Sequence, residues 1–302
     1  MGDGGTWSVE GDRVKTRSGS VPECGAVETT RVSGLPHLVD AHVHFHPCFG
    51  VDDFFDAASR NFSQARLELG LGKAVTGVLL FADPEGWDSF GEFRHRMRVG
   101  RTKWALAKTD EQASFIAFRE GHRELVLVPG RQVVSRERLE ILVLACSEEL
   151  RDGAPFGEIL KQAMETNYVT LIPWGLGKWH GRRGRLVRTA IESRPARNLF
   201  LGDNGGRLHG TPTPGLLLRG MQHGIWNLPG SDPLPFRSQQ TRVGSRGFVL
   251  QGDVDRRRPA QTIRRALGEL DTQPVTFGRG MGAVEFVASQ LRIQVQRRLR
   301  CD

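Results

Sequence analysis

Apolar and polar positions fall into short blocks along most of this chain. Residues 38–41 form an apolar run suited to a strand. Residues 52–69 carry Phe54, Phe55, Ala58, Phe62, Ala65 and Leu69 at helical spacing, with Asp52 or Asp53 placed to cap the first turn. Residues 75–82 are apolar apart from Thr76, as suits a strand covered on both faces. The segments 104–107 and 115–118 are weaker strand patterns, and 125–128 and 139–145 stronger ones. Helix and strand patterns then alternate: helix over 157–166, strand over 169–173, helix over 186–193, strand over 199–202, helix over 216–222 and strand over 225–228. Residues 259–270 have proline in their first turn, where its missing N–H costs nothing, and read as a helix. Residues 282–299 read as a closing helix.

Repeated strand-helix alternation with apolar strands argues for a parallel sheet covered by helices, and about eight strands suffice to close it into a ring. The expected fold is therefore α/β, a distorted (β/α) TIM-like barrel over residues 37–275. A short β-like N-terminal extension (1–36) precedes it and a C-terminal closing helix (276–302) follows. No G-x-G-x-x-G follows the first strand, which argues against a dinucleotide site.

The chemistry is concentrated where the first strand ends, at Asp40-Ala41-His42-Val43-His44-Phe45-His46. Residues two apart in an extended chain share a face, so His42 and His44 project together. Two neutral imidazoles on one face suit a divalent transition metal. In a closed barrel the last apolar strand neighbours the first. Gly230-Ser231-Asp232 follows that last strand, so Asp232 is expected to meet His42 and His44 across one ion. Zinc is the first choice for such a nitrogen-plus-oxygen set, with manganese or iron also compatible. Asp203 or His180 is expected to complete the shell. Asp232 is also the expected catalytic base beside a metal-bound hydroxide. Lys178, Arg182 and Arg183, in a segment dense in cations, together with Arg207, are expected to grip a small anionic substrate. Asp83 follows another apolar strand, where turn chemistry by its own side chain is the simpler role.

Composition changes this picture little. The chain has 302 residues, a formal net charge of +8 and a sequence pI near 9.9. That charge and the tail over 292–300 raise a nucleic-acid partner as a rival, but no DNA- or RNA-binding module is visible. Cys24, Cys48, Cys146 and Cys301 are scattered and form no C-x-x-C pair, so no structural zinc module or disulfide framework is indicated. No run is long and apolar enough to span a bilayer, and no secretion signal is evident, so the expected location is the cytoplasm.

Val39-Asp40-Ala41-His42-Val43-His44 resembles the strand-one H-x-H motif of metal-dependent hydrolases of the amidohydrolase superfamily. Gly230-Ser231-Asp232-Pro233 is similar to the final-strand Asp motif of the same group. Residues 129–135, followed by 139–142, are similar to a mid-chain stretch of the PHP (polymerase and histidinol phosphatase) phosphoesterases. Gln132 and Glu140 stand where that family places a Glu and a His ligand, and a single-metal site is the consequence. The resemblance implies a (β/α) barrel that hydrolyses an amide, ester or phosphoester. The alternative is a catalytically degenerate barrel acting as a binding or structural protein.

Overall fold

The protein, seen in a computed structural model, is described at residues 1, 34–100, 102–111, 113–193 and 197–299, with side chains as far as residue 293. The β-like extension expected over 1–36 falls almost wholly outside the described residues. So does the unit Met1–Val32 into which the chain divides, apart from Met1.

In chain order the elements are β1 (Pro36–Val43), α1 (Val51–Glu68), β2 (Thr76–Phe81), α2 (Ser89–Val99), β3 (Ala105–Lys108), β4 (Phe115–Phe118), β5 (Leu125–Val128), β6 (Gly130–Val134) and β7 (Glu140–Leu144). Then come α3 (Phe156–Met164), β8 (Val169–Pro173), α4 (Gly181–Glu192), β9 (Leu199–Gly202), α5 (Gly215–Gln222), β10 (Gly247–Gln251), α6 (Pro259–Gly268), β11 (Thr276–Phe277) and α7 (Ala283–Leu299).

These strands do not close into a TIM-like barrel. They form a seven-stranded sheet in the order β11-β10-β1-β2-β5-β4-β3 and a four-stranded sheet in the order β6-β7-β8-β9. Only β1 with β2, β2 with β5, and β8 with β9 pair in parallel; the other six strand pairs are antiparallel. The physical reason lies in the middle of the chain. β3 to β7 follow one another with no intervening helix, and a parallel pair needs a long crossover whereas an antiparallel pair needs only a turn.

Two places join the sheets. Asp83, just past β2, bridges Arg131 of β6. On the other side, residues 225–232 run between β9 and β1. They bridge β9 and its continuation through Leu201 with Asn227 and Asn204 with Gly230. Toward β1, Ala41 N–H donates to Pro229 O at 3.3 Å and Asp232 N–H donates to His42 O at 2.8 Å. Glycine is required for this approach, because a Cβ on Gly230 would lie 2.3 Å from His42 N.

Both faces of β1 are buried. Leu38 enters a phenylalanine-rich core with Phe45, Phe49, Phe54, Phe55, Phe81 and Phe93, whereas Val39 and Ala41 enter a second core with Leu80, Leu144, Phe200 and Phe248. Each buried Phe contributes roughly 2–3 kcal/mol. Such packing holds α1, whose N-cap is Gly50 with no side-chain bond. Asp52, an expected cap, instead accepts from Lys103 N and Trp104 N. The register of β1 against β2 shifts between Asp40 and Val43, and Val43 joins the core of Leu38 rather than that of Ala41. The irregularity coincides with the start of the histidine run. No helix of the described residues is long and apolar enough to cross a membrane.

Candidate metal centre

Three side chains meet where β1 ends beside residues 225–232. His42 Nε2 lies 2.9 Å from His44 Nε2. Asp232 Oδ1 lies 3.6 Å from His42 Nε2 and 3.5 Å from His44 Nε2. Zinc–nitrogen bonds of about 2.0–2.1 Å in a tetrahedron place neighbouring ligands roughly 3.3 Å apart. The observed triangle has that size. His42, His44 and Asp232 could hold a metal ion.

The group is positioned by buried polar contacts rather than by the strands alone. Asp40 is fully buried and accepts from four donors: Ser231 Oγ at 2.5 Å, Ser231 N at 2.8 Å, Gly244 N at 2.8 Å and His42 N at 3.2 Å. It therefore ties the first histidine to the residue preceding Asp232. Burial pushes the Asp40 carboxyl up to about 6, against the opposing effect of those bonds. Asn204 donates from Nδ2 to Asp232 Oδ2 and to Trp174 O, both at 2.8 Å. That bond occupies one carboxylate oxygen and leaves Oδ1 toward the imidazoles. Asp232 itself has φ of 46°, a left-handed conformation uncommon outside glycine.

Electrostatics favours ligand-ready forms. Burial, with the neighbouring His42 and His46, lowers His44 to about 3 even though Asp232 opposes this. His44 is therefore a neutral imidazole at ordinary pH. Burial pushes the Asp232 carboxyl up, but His42, His44 and Lys178 more than offset it, and the net shift is downward. His46 is lowered by burial, and its Nε2 lies 2.9 Å from Pro233 O. The carbonyl can only accept, so Nε2 carries the proton. The Nδ1 atoms of His42 and His44 are buried without a partner.

The other expected site residues lie elsewhere. Asp203 is buried and clamped by two arginines: Arg207 binds it bidentately through Nε and Nη2, each at 3.0 Å, and Arg246 pairs with Oδ2. Asp203 is thus paired with two cations and is not among the side chains grouped with His42 and His44. Arg207 is spent on the same clamp and on Thr211 O. His180 is exposed at the N-cap of α4. Arg182 is exposed, and Arg183 donates to Gly177 O at 2.8 Å. Of the basic segment only Lys178 acts on the centre, lowering Asp232 while paired with Glu140. Asp83 accepts from Ser89 N at 2.8 Å and Ser89 Oγ at 2.6 Å, at the first residue of α2 rather than within its own turn.

Three residues that support the centre carry little sequence signal. Glu140 enters only through the resemblance, at the place of a histidine ligand. Asn204 carried one usable signal, standing next to Asp203 at the same strand end. Ser231 could be noticed only through its neighbour Asp232.

No protein-family model matches the chain, and no curated protein does. Among solved structures, PsfC from Pseudomonas syringae PB-5123 aligns with a TM-score of 0.46 and 11% identity, over 87% of this chain and 98% of that one.

Proposed function

We propose that this protein is a hydrolase dependent on a single divalent metal ion, zinc by the chemistry of its ligands, acting on a small molecule. The observation that carries the reading is the convergence of His42, His44 and Asp232 from opposite ends of the chain. When bound, such an ion lowers the pKa of water and polarises a carbonyl or phosphoryl oxygen. The chain's own residues supply the rest. His42 and His44 present Nε2 lone pairs, which requires each Nδ1 to carry the proton. Asn204 fixes the rotation of the Asp232 carboxylate through Oδ2. Asp232 is the carboxylate placed to take a proton from an attacking water, as a general base. His42, His44 and, behind them, Lys178 favour the ionised form of that carboxylate.

The test begins with metal content. Purified protein is expected to bind one equivalent of zinc, and the His42→Ala/His44→Ala double variant to lose it. Zinc-loaded protein is then assayed against ester, amide and phosphoester panels. Full zinc content in the double variant overturns the metal centre, and silence across all three panels overturns the hydrolase.

One observation favours a second reading, a metal- or ligand-binding protein without turnover. Ligating histidines almost always donate their second N–H to an acceptor, and the loss of that acceptor costs metal affinity or activity. Neither His42 nor His44 has such an acceptor here.

A further inference from the structure

A cleft of about 280 Å³ opens beside the metal group. One wall is His44, Phe45, His46 and Pro47, and the other is the segment 83–87. The volume lies just below the range for small-molecule sites, about 300–1,000 Å³. His44 joins the two places, since its Nε2 belongs to the ligand triangle while its buried Nδ1 has no partner.

The second wall is a preorganised turn. Trp87 N–H donates to Pro84 O at 3.1 Å, and Gly86 between them has φ of 75°. Those features define a turn with glycine at its third position, where a positive φ is needed. The turn is pinned from behind. Arg131 donates from Nη1 to Trp87 O at 2.8 Å, and the Trp87 indole N–H donates to Ser89 Oγ at 3.2 Å. Glu85 is exposed at the tip of the turn and Trp87 is half-buried beside it. Glu85 accepts one long bond, 3.4 Å, from Asp152 N–H, so its carboxylate keeps most of its accepting capacity. Asp83, the other acid of the cleft, is engaged by Ser89 and faces the charge of Arg131. No lysine or arginine lines the cleft.

An indole ring beside a carboxylate with spare accepting capacity can recognise an organic cation, the ring by its quadrupole and the carboxylate by charge-assisted hydrogen bonds. We propose that the cleft beside His44 binds a substrate carrying a protonated amine, amidinium or guanidinium group, held between Glu85 and Trp87. This reverses the charge expected from the basic segment, whose residues are exposed or committed elsewhere. The inference rests on the proposed metal centre only in calling the occupant a substrate; the cation site itself stands on the cleft.

Benzamidinium, benzoate and benzyl alcohol have the same ring and differ in charge, which makes them suitable probes. Their binding is measured by calorimetry on the full chain, with and without added zinc, for the wild type, Glu85→Gln and Trp87→Leu. Saturable binding of benzamidinium at least about tenfold tighter than benzoate, lowered about tenfold by Glu85→Gln, is the expected result. Glu85 is exposed, so its variant is expected to fold and to keep the wild-type zinc content. Benzoate binding as tightly as benzamidinium, or an unchanged benzamidinium affinity in Glu85→Gln, overturns the proposal. Benzamidinium binding by a protein that takes up no zinc supports the cation site while removing the metal centre, so the two readings fail separately.

Discussion

Replacing Ser231 with Ala removes one donor from the most deeply buried acid of the site. Ser231 Oγ lies 2.5 Å from Asp40 Oδ2, and both residues are fully buried. Three backbone donors remain, from Ser231, Gly244 and His42. A hydrogen bond to a charged group is worth about 1.5–3 kcal/mol, so the variant should lose about 2 kcal/mol of stability. Ser89→Ala provides the control. Its Oγ lies 2.6 Å from Asp83 Oδ1 in a similarly buried setting and also accepts from the Trp87 indole, so its loss of stability should be at least as large. The variants should part company over metal. Ser231 adjoins Asp232 and is tied through Asp40 to His42, so Ser231→Ala should weaken zinc binding by about tenfold, the lower end for removing a support behind a ligand. Ser89→Ala should leave zinc affinity unchanged. Urea unfolding reports the stability, and competition with a chromophoric chelator reports the affinity. A stability loss in Ser231→Ala below about 0.5 kcal/mol, under the ordinary range for such a bond, would refute the Asp40 tie. Equal zinc losses in the two variants would refute its link to the metal group.

Other substitutions probe neighbouring features. Gly230→Ala drives a Cβ to 2.3 Å from His42 N; backbone must move, and destabilisation of about 2–3 kcal/mol with loss of zinc is expected by calorimetry and metal analysis. Asp203→Ala strands the buried Arg246 guanidinium and should cost about 3–5 kcal/mol, yet zinc stoichiometry should not change; a lost equivalent would restore Asp203 as a ligand. Burial pushes Asp83 up from 3.8 to about 6, with the Ser89 bonds opposing. The folded state therefore holds that proton more tightly than the unfolded chain. This contribution to stability is complete below about pH 4 and is lost as pH rises through 6, by roughly 3 kcal/mol. Asp83→Asn cannot ionise, so between pH 4 and 7 its stability should gain on the wild type by that amount in urea titrations; a difference that stays flat with pH refutes the shift.

The site was more legible in the sequence than the fold. Histidines two apart after an apolar run share a face whatever sheet the strand joins, which is why His42 and His44 could be paired from spacing alone. Asp232 was placed beside them through a closed ring of strands that the protein does not form. The adjacency arises instead from residues 225–232, which lie against β1 through hydrogen bonds at Ala41 and Asp232. The fold was misread where local pattern carries no pairing information. Gly130 directly follows the apolar run over 125–128, where glycine signals a turn, yet it begins β6, packed so closely on β2 that a Cβ would lie 2.4 Å from Phe81 O. β10 is five residues long and was overlooked, although it pairs antiparallel with β1. Asp203 stands outside the group of His42, His44 and Asp232 and is bound by Arg246, 43 residues away. Contacts of that range leave no trace in spacing.

The backbone of Asp232 sits at φ of 46°, where glycine is at ease and aspartate is tolerated at some cost. Relieving that strain and keeping the carboxylate are incompatible demands on one position. Asp232→Gly should yield a chain that survives heating better and has surrendered a metal ligand. A laboratory selection for thermal endurance alone would therefore bear on this corner of the molecule, as on Arg138 and Ala145, which share the left-handed region. An aspartate that persists there under such selection would show that its side chain is worth more to the protein than a relaxed turn.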